Sequence, residues 1–140
     1  PFTDVLIQSS WSANLNGMYQ VMPDRPWGFN LAGNLFGREG YPLPYDFAAA
    51  TADGLTRAAA VTTELDEIRT DDIWVLDLRL EKDMRFTDNL SGILSIDAFN
   101  VTNDNSVLQR DRTLNVATAN FVTQTLSPRI YRLGFRLNWR

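Results

Sequence analysis

Apolar and polar residues alternate with a period of two over long stretches of the chain. This is the signature of strands rather than helices. From Val5 to Val21 the odd positions read Val5, Ile7, Ser9, Trp11, Ala13, Leu15, Gly17, Tyr19 and Val21. The even positions from Gln8 to Gln20 are mostly amides and hydroxyls. A turn at Met22–Pro26 follows, where two prolines stop the ladder. A second strand is predicted over Trp27–Gly37, with Trp27, Phe29, Leu31 and Leu35 on one face. A third, over Asp72–Lys82, sets Trp74, Leu76, Leu78 and Leu80 against Asp77, Arg79 and Glu81. A fourth, over Leu90–Val101, places Leu94, Ile96 and Ala98 opposite Ser95 and Asp97. The last and cleanest, Arg129–Trp139, alternates Tyr131, Leu133, Phe135, Leu137 and Trp139 with Arg132, Gly134, Arg136 and Asn138.

The connections alternate in length: Met22–Pro26 is short, Arg38–Asp71 long, Asp83–Asn89 short, Thr102–Pro128 long. The two long ones read as irregular. Leu55–Arg69 admits an amphipathic helix on Leu55, Ala58, Ala59, Thr62 and Leu65, but its Thr residues and missing caps disfavour it. There is no internal repeat, and no linker marks a domain boundary. The pattern alone fits a soluble antiparallel sheet with one buried face.

Three features favour the wall of a membrane barrel. Short turns alternating with long loops is how outer-membrane barrels are connected. Trp11 and Tyr19, and likewise Tyr131 and Trp139, lie eight positions apart on one face. Such a pair climbs roughly 20 Å along a barrel axis, close to the apolar band between aromatic girdles. Trp27 and Trp74 complete the candidate girdle. The opposite face carries mid-strand charges, Asp77, Arg79, Glu81, Asp97, Arg132 and Arg136, which sum to zero. Antiparallel neighbours bring such residues within pairing distance, as a polar network facing a lumen.

Composition narrows the function. The 140 residues are 44% hydrophobic and 21% charged, too apolar for a disordered segment. Seventeen Asp and Glu against thirteen Lys and Arg give a net charge of -4, which argues against nucleic acid as a partner. With no His and no Cys, zinc sites of the Cys/His kind, Cys nucleophiles, Ser-His-Asp triads and disulfides are excluded within the 140 residues. No run approaches the ~18–20 apolar residues of a membrane-spanning helix. The opening PFTDVLIQSS carries no signal-peptide features, and the reading adopted is a piece of a longer protein.

Four segments carry a family resemblance: GREGYPLPY (Gly37–Tyr45), DDIWVLDLRLEKDMRF (Asp71–Phe86), LSIDAFNVTNDNSVLQR (Leu94–Arg110) and LSPRIYRLGFRLNWR (Leu126–Arg140). With these the chain resembles the C-terminal part of a TonB-dependent outer-membrane receptor. The likeness is to the Oar-like kind, which has an N-terminal carboxypeptidase-regulatory-like domain. The final strand is also similar to the signal read by the barrel-assembly machinery, at Arg132, Gly134, Leu137 and Trp139, with Arg140 as a departure after the aromatic. The resemblance implies a plugged barrel of about 22 strands that imports a ligand with energy passed on by TonB. This chain would supply about the last five strands, in the outer membrane of a Gram-negative bacterium. The expected fold is thus all-β, an antiparallel up-and-down meander of about five long strands forming an incomplete part of a transmembrane β-barrel. Expected partners are outer-membrane lipid, the barrel-assembly machinery, the TonB complex through a part not present, and an unknown small ligand or peptide. The alternatives are a soluble β binding module, such as a secreted glycan binder, and another outer-membrane barrel such as an adhesin or porin.

Candidate chemistry is sparse. Asp71 and Asp72, and Glu64, Asp66 and Glu67, have no acid/base partner set and read as solvated loop charge. Asp104 with Asn103 and Asn105 offers hard oxygens for calcium, but the EF-hand spacing is absent and an Asx turn is the better reading. GFNLAG (Gly28–Gly33) lacks the Lys and Ser/Thr of a phosphate loop. Asn100-Val101-Thr102 matches a glycosylation sequon, read as accidental. Arg38, Glu39, Tyr41 and Tyr45 are candidate ligand contacts at the start of an outside loop, against the reading of a rigid Pro/aromatic loop packed on its neighbours. No catalytic residue, metal site or cofactor is expected.

Overall fold

The computed structural model describes residues 9–62, 64 and 66–139. Positions 5–8 of the first expected strand, Leu65 of the helical alternative and Arg140 lie outside them. Among the described residues nine strands form in chain order: β1 (Ser12–Val21), β2 (Phe29–Arg38), β3 (Asp46–Ala50), β4 (Thr56–Ala60), β5 (Ile73–Thr87), β6 (Leu90–Phe99), β7 (Val107–Arg110), β8 (Val122–Thr125) and β9 (Ile130–Trp139). Among the described residues there is no helix.

The five long strands make one antiparallel sheet in the order β1-β2-β5-β6-β9, a meander as the alternation predicts. The chain divides into two compact units. One is this sheet, residues 13–37, 74–104 and 127–139, and the other holds residues 9–12 and the described parts of 38–73 and 105–126.

Several boundaries differ from the sequence reading. β1 begins at Ser12, so Trp11 precedes the strand. β5 runs on to Thr87, leaving the two-residue turn Asp88-Asn89 where a longer polar connection was expected. The extension follows the same period-two rule, since Met84 and Phe86 alternate with Asp83 and Arg85. A bulge between Arg85 and Thr87 ends the regular pairing. The two long connections are not irregular throughout. The first contains the β3–β4 hairpin and the second the β7–β8 pair. The helical alternative for 55–69 is not what forms: the Ala run pairs as strand β4 with β3, tertiary pairing overriding the helix preference of alanine.

In the sheet unit the alternation sorts the two faces as expected. On β6 and β9 the register runs without interruption, pairing Ile96 with Leu133, Leu94 with Phe135 and Ala98 with Tyr131 on the apolar face. Glycine makes room for rings on that face: a Cβ at Gly37 would stand 2.5 Å from the Trp74 indole, and one at Gly92 2.8 Å from the Phe86 ring. What the sheet lacks is a core. Leu133 is 72% exposed, Tyr19 70%, Phe135 60% and Trp139 83%. Among the described residues the buried hydrophobic side chains are Leu43 and Ile73, and both belong to the other unit.

In that second unit, residues 41–43 pair with 68–70 through the Leu43 N–H to Ile68 and Thr70 N–H to Tyr41 bonds. The outer side of β3 is covered by 112–115, so the two long connections are knitted together.

Candidate functional site

On the polar face of the sheet, register places Asp97 of β6 directly between Arg79 of β5 and Arg132 of β9. Asp97 is 5% exposed. Its Oδ1 accepts from Arg79 Nη1 at 3.2 Å and its Oδ2 from Arg132 Nε at 3.0 Å. Arg79 also donates two bonds to Glu81 Oε2, at 2.6 and 3.1 Å. The Arg132 guanidinium lies 5.1 Å from the Phe99 ring centroid, within cation–π range. Two arginines and two carboxylates thus close on themselves with no charge left over. A neutral network of permanently charged arginines and their carboxylate partners holds neighbouring strands in register.

The structure brings together four of the six charges grouped on this face. Asp77 instead accepts the Asn100 backbone N–H at 2.9 Å. Arg136 pairs in register with Ile93 and makes no ion pair with a described residue. Beside the network lies an open cavity of about 440 Å³ lined in part by Asn16, Asn34, Asp77, Arg79, Asp97 and Phe99. There the Asn34 Oδ1 has no hydrogen-bond partner among the described residues. At Gly134, where the sequence suggests part of an assembly signal, the structure shows local packing: a Cβ there would meet Ser95 Oγ at 2.6 Å.

Of the six candidate girdle residues, Tyr19, Trp74, Tyr131 and Trp139 sit on strands and are exposed. Trp27 lies in the Met22–Gly28 connection and is exposed, and Trp11 lies before β1 with its carbonyl accepting the Glu39 N–H. The apolar face of β5 also carries Lys82, which sequence reading passed over. Its ammonium donates to the carbonyls of Pro26 and Gly28, drawing the charge toward the turn.

The buried Asn100, 4% exposed, is a hub at the end of β6. Its Nδ2 donates to the Asp104 and Ser127 carbonyls at 2.8 Å each. Its Oδ1 accepts from Asp104 N at 3.0 Å and Thr102 Oγ1 at 3.3 Å. Asn100 and Asn103 have φ of 49° and 55°, a left-handed backbone that Asn tolerates, and Asn103 Oδ1 accepts from Arg129 N. The Asn/Asp run is a hydrogen-bonded turn, and the sequon amide is committed on both of its atoms.

The candidate ligand contacts in the other unit are each engaged by neighbours within that unit. The Arg38 guanidinium stacks 4.3 Å from the Tyr41 ring centroid and donates to its hydroxyl at 3.2 Å. Glu39 accepts from Ser10 N at 2.6 Å and Ser10 Oγ at 2.7 Å, and faces Arg69 at 3.4 Å. Tyr45 is placed apart from these contacts, its hydroxyl donating to Asn120 Oδ1 at 3.0 Å. This is the pattern of an internally bonded loop.

The Ser10 amide, then the Ser10 hydroxyl and the Arg69 charge, hold the Glu39 carboxyl below the ordinary carboxylate range. A depressed carboxylate stabilises the folded state above its unfolded pKa, and that contribution is lost as pH falls through the folded value. Ser10→Ala removes the hydroxyl donor and keeps the amide, so the Glu39 titration followed by carboxyl NMR is expected to move partway upward. An unchanged Glu39 titration would mean that the hydroxyl bond contributes nothing.

No family model matches the chain, and no curated protein or solved structure matches it significantly.

Proposed function

We propose that the chain is a stretch of wall from an outer-membrane β-barrel, of a TonB-dependent receptor that takes up a ligand across the outer membrane. The observation that carries this reading is the uncovered apolar face of the five-stranded sheet. Soluble monomers rarely expose an apolar patch beyond a few hundred Å², yet here Leu15, Tyr19, Leu133, Phe135, Leu137 and Trp139 are all more than half exposed. Lipid is the solvent such a face fits, with tyrosine and tryptophan toward its ends.

Three further features agree. The opposite face is polar and its paired charges cancel, as suits a lumen. The one ionised residue on the apolar side of β5, Lys82, has its ammonium tied to backbone carbonyls of the turn. β1 and β9 each have one edge without a strand among the described residues. Hydrocarbon does not tolerate such edges, so they call for neighbours from a longer chain. The receptor assignment itself rests on the sequence resemblance, and with it the roles of the barrel-assembly machinery and TonB.

Phe135→Arg, midway between Tyr131 and Trp139, tests the lipid-facing placement. An arginine near the midplane of a barrel's lipid face costs about 2–4 kcal/mol, whereas at a water-exposed strand position the change is worth within about 0.5 kcal/mol. Urea unfolding of the chain from lipid vesicles, read by Trp fluorescence, is expected to show the larger loss. Equal stability of the variant and the parent chain, or a monodisperse parent in buffer without detergent, would overturn the reading.

A further inference from the structure

The β3–β4 hairpin leaves one edge open in a way that points to a partner. The Thr51 N–H to Leu55 and Val61 N–H to Tyr45 bonds fix which backbone groups face inward. In an antiparallel ladder the bonded pairs recur every second residue. With Phe47 opposite Ala59 and Ala49 opposite Arg57, these residues turn their N–H and C=O toward each other. Asp46, Ala48 and Ala50 on β3, and Thr56, Ala58 and Ala60 on β4, therefore turn theirs away from the hairpin.

The two outer edges are treated differently. On β3 those of Asp46 and Ala48 are satisfied: Asp46 N donates to the Arg112 carbonyl at 3.0 Å and its carbonyl accepts from Leu114 N at 2.9 Å. Asn115 extends this cover, its side-chain amide exchanging two 2.8 Å bonds with the Ala48 backbone as a third strand would. On β4 no described residue occupies the corresponding groups, and all of Thr56–Ala60 is exposed. Proteins normally blunt such an edge with Lys, Pro, a bulge or a covering loop. β4 has no Pro or Lys and no bulge, and its one cation, Arg57, is bonded to Asp53 at 3.1 Å.

We propose that the outer edge of β4 receives an extended basic peptide as an added strand, bonded to Thr56, Ala58 and Ala60. Strand addition draws its affinity from main-chain bonds and its selectivity from the side chains alongside. The small side chains of Ala58, Ala59 and Ala60 set no steric barrier on either face. Residues 62–72 directly after β4 carry Glu64, Asp66, Glu67, Asp71 and Asp72 against Arg69, a net charge of -4 that selects a cationic strand. A second copy of the chain fits this charge less well, because its own β4 carries a single cation, Arg57, already bonded to Asp53. The inference does not depend on what covers the large sheet.

The test uses the full chain, in buffer or micelles that keep it monodisperse, and fluorescein-labelled Lys-Val-Lys-Val-Lys-Val. Binding is expected, weakened at least about tenfold by replacing Lys with Glu in the peptide or by N-methylating its alternate residues. Ala58→Pro removes one outward N–H without touching the hairpin's own bonds, and is expected to weaken binding to a similar degree. Amide exchange at Thr56, Ala58 and Ala60 is expected to slow when the peptide is present. Absence of binding, equal binding of the N-methylated or Glu peptide, or unchanged exchange at those amides would overturn the proposal. A peptide-free dimer lost in Ala58→Pro would assign the edge to a second copy and overturn it too. If Ala58→Pro does not fold, the N-methylated peptide decides the matter with the parent chain.

Discussion

Asn100→Gly is expected to lower the unfolding free energy by about 3–5 kcal/mol, the largest single-residue effect in the sheet unit. The variant keeps the left-handed backbone conformation, which glycine adopts without steric strain, so the loss reports chiefly the side-chain amide, with a smaller share from the greater freedom of glycine in the unfolded chain. That amide makes four hydrogen bonds, donating to Asp104 and Ser127 and accepting from Asp104 and Thr102. Each is worth about 0.5–1.5 kcal/mol net, and removal strands polar groups of the turn in a place the side chain had filled. Asn100→Asp keeps the two acceptor contacts but turns a carboxylate oxygen toward the Asp104 and Ser127 carbonyls in a buried site, so it is expected to be no more stable than Asn100→Gly. Urea unfolding followed by Trp fluorescence ranks the three. Parent-like stability of Asn100→Gly would show that the hub is dispensable.

Asp97→Asn is expected to cost about 2 kcal/mol. Breaking a fully buried pair costs about 3–5 kcal/mol, but here only the carboxylate is buried, with side-chain exposure of 7%. Arg132 and Arg79 are 61% and 39% exposed, so water takes up part of what each arginine loses. Arg132→Gln is therefore expected to cost less than Asp97→Asn, since Asp97 keeps Arg79. A double-mutant cycle of Asp97→Asn with Arg132→Gln, read by the same unfolding experiment, is expected to give a positive coupling of about 1 kcal/mol. Strict additivity would mean that the two side chains do not interact in solution.

Much of the sheet was legible from alternation. A residue's face on a strand depends only on whether its position is odd or even, so parity sorted Leu133, Phe135 and Trp139 from Arg132 and Arg136. It failed where side chains carry no contrast. The run Arg57-Ala58-Ala59-Ala60 alternates in nothing that distinguishes two environments, so β4 was hidden, and with it the hairpin. β5 was cut short for another reason: Asp83 and Arg85 looked like the polar residues of a loop, although they continue the charged face of the strand. The site residues followed the same divide. That Asp97 and Arg132 would share a face was evident, whereas the choice of Asp97 over Asp77 as the shared acceptor was not. Asn100 stood out only as part of a sequon, and its use as a turn hub left no sequence mark beyond the neighbouring Asn and Asp.

By itself the sequence determined that the chain forms long antiparallel strands, one face apolar and one charged but neutral in sum, joined by connections of alternating length. Those are local properties, set by the pleat and by residues that cannot extend a ladder. Register, the partner of each carboxylate, the knitting of the two long connections through Asn115, and the open outer edge of β4 were decided by tertiary structure. They depend on which backbone groups from distant parts of the chain come opposite one another, and no pattern within a single strand records that.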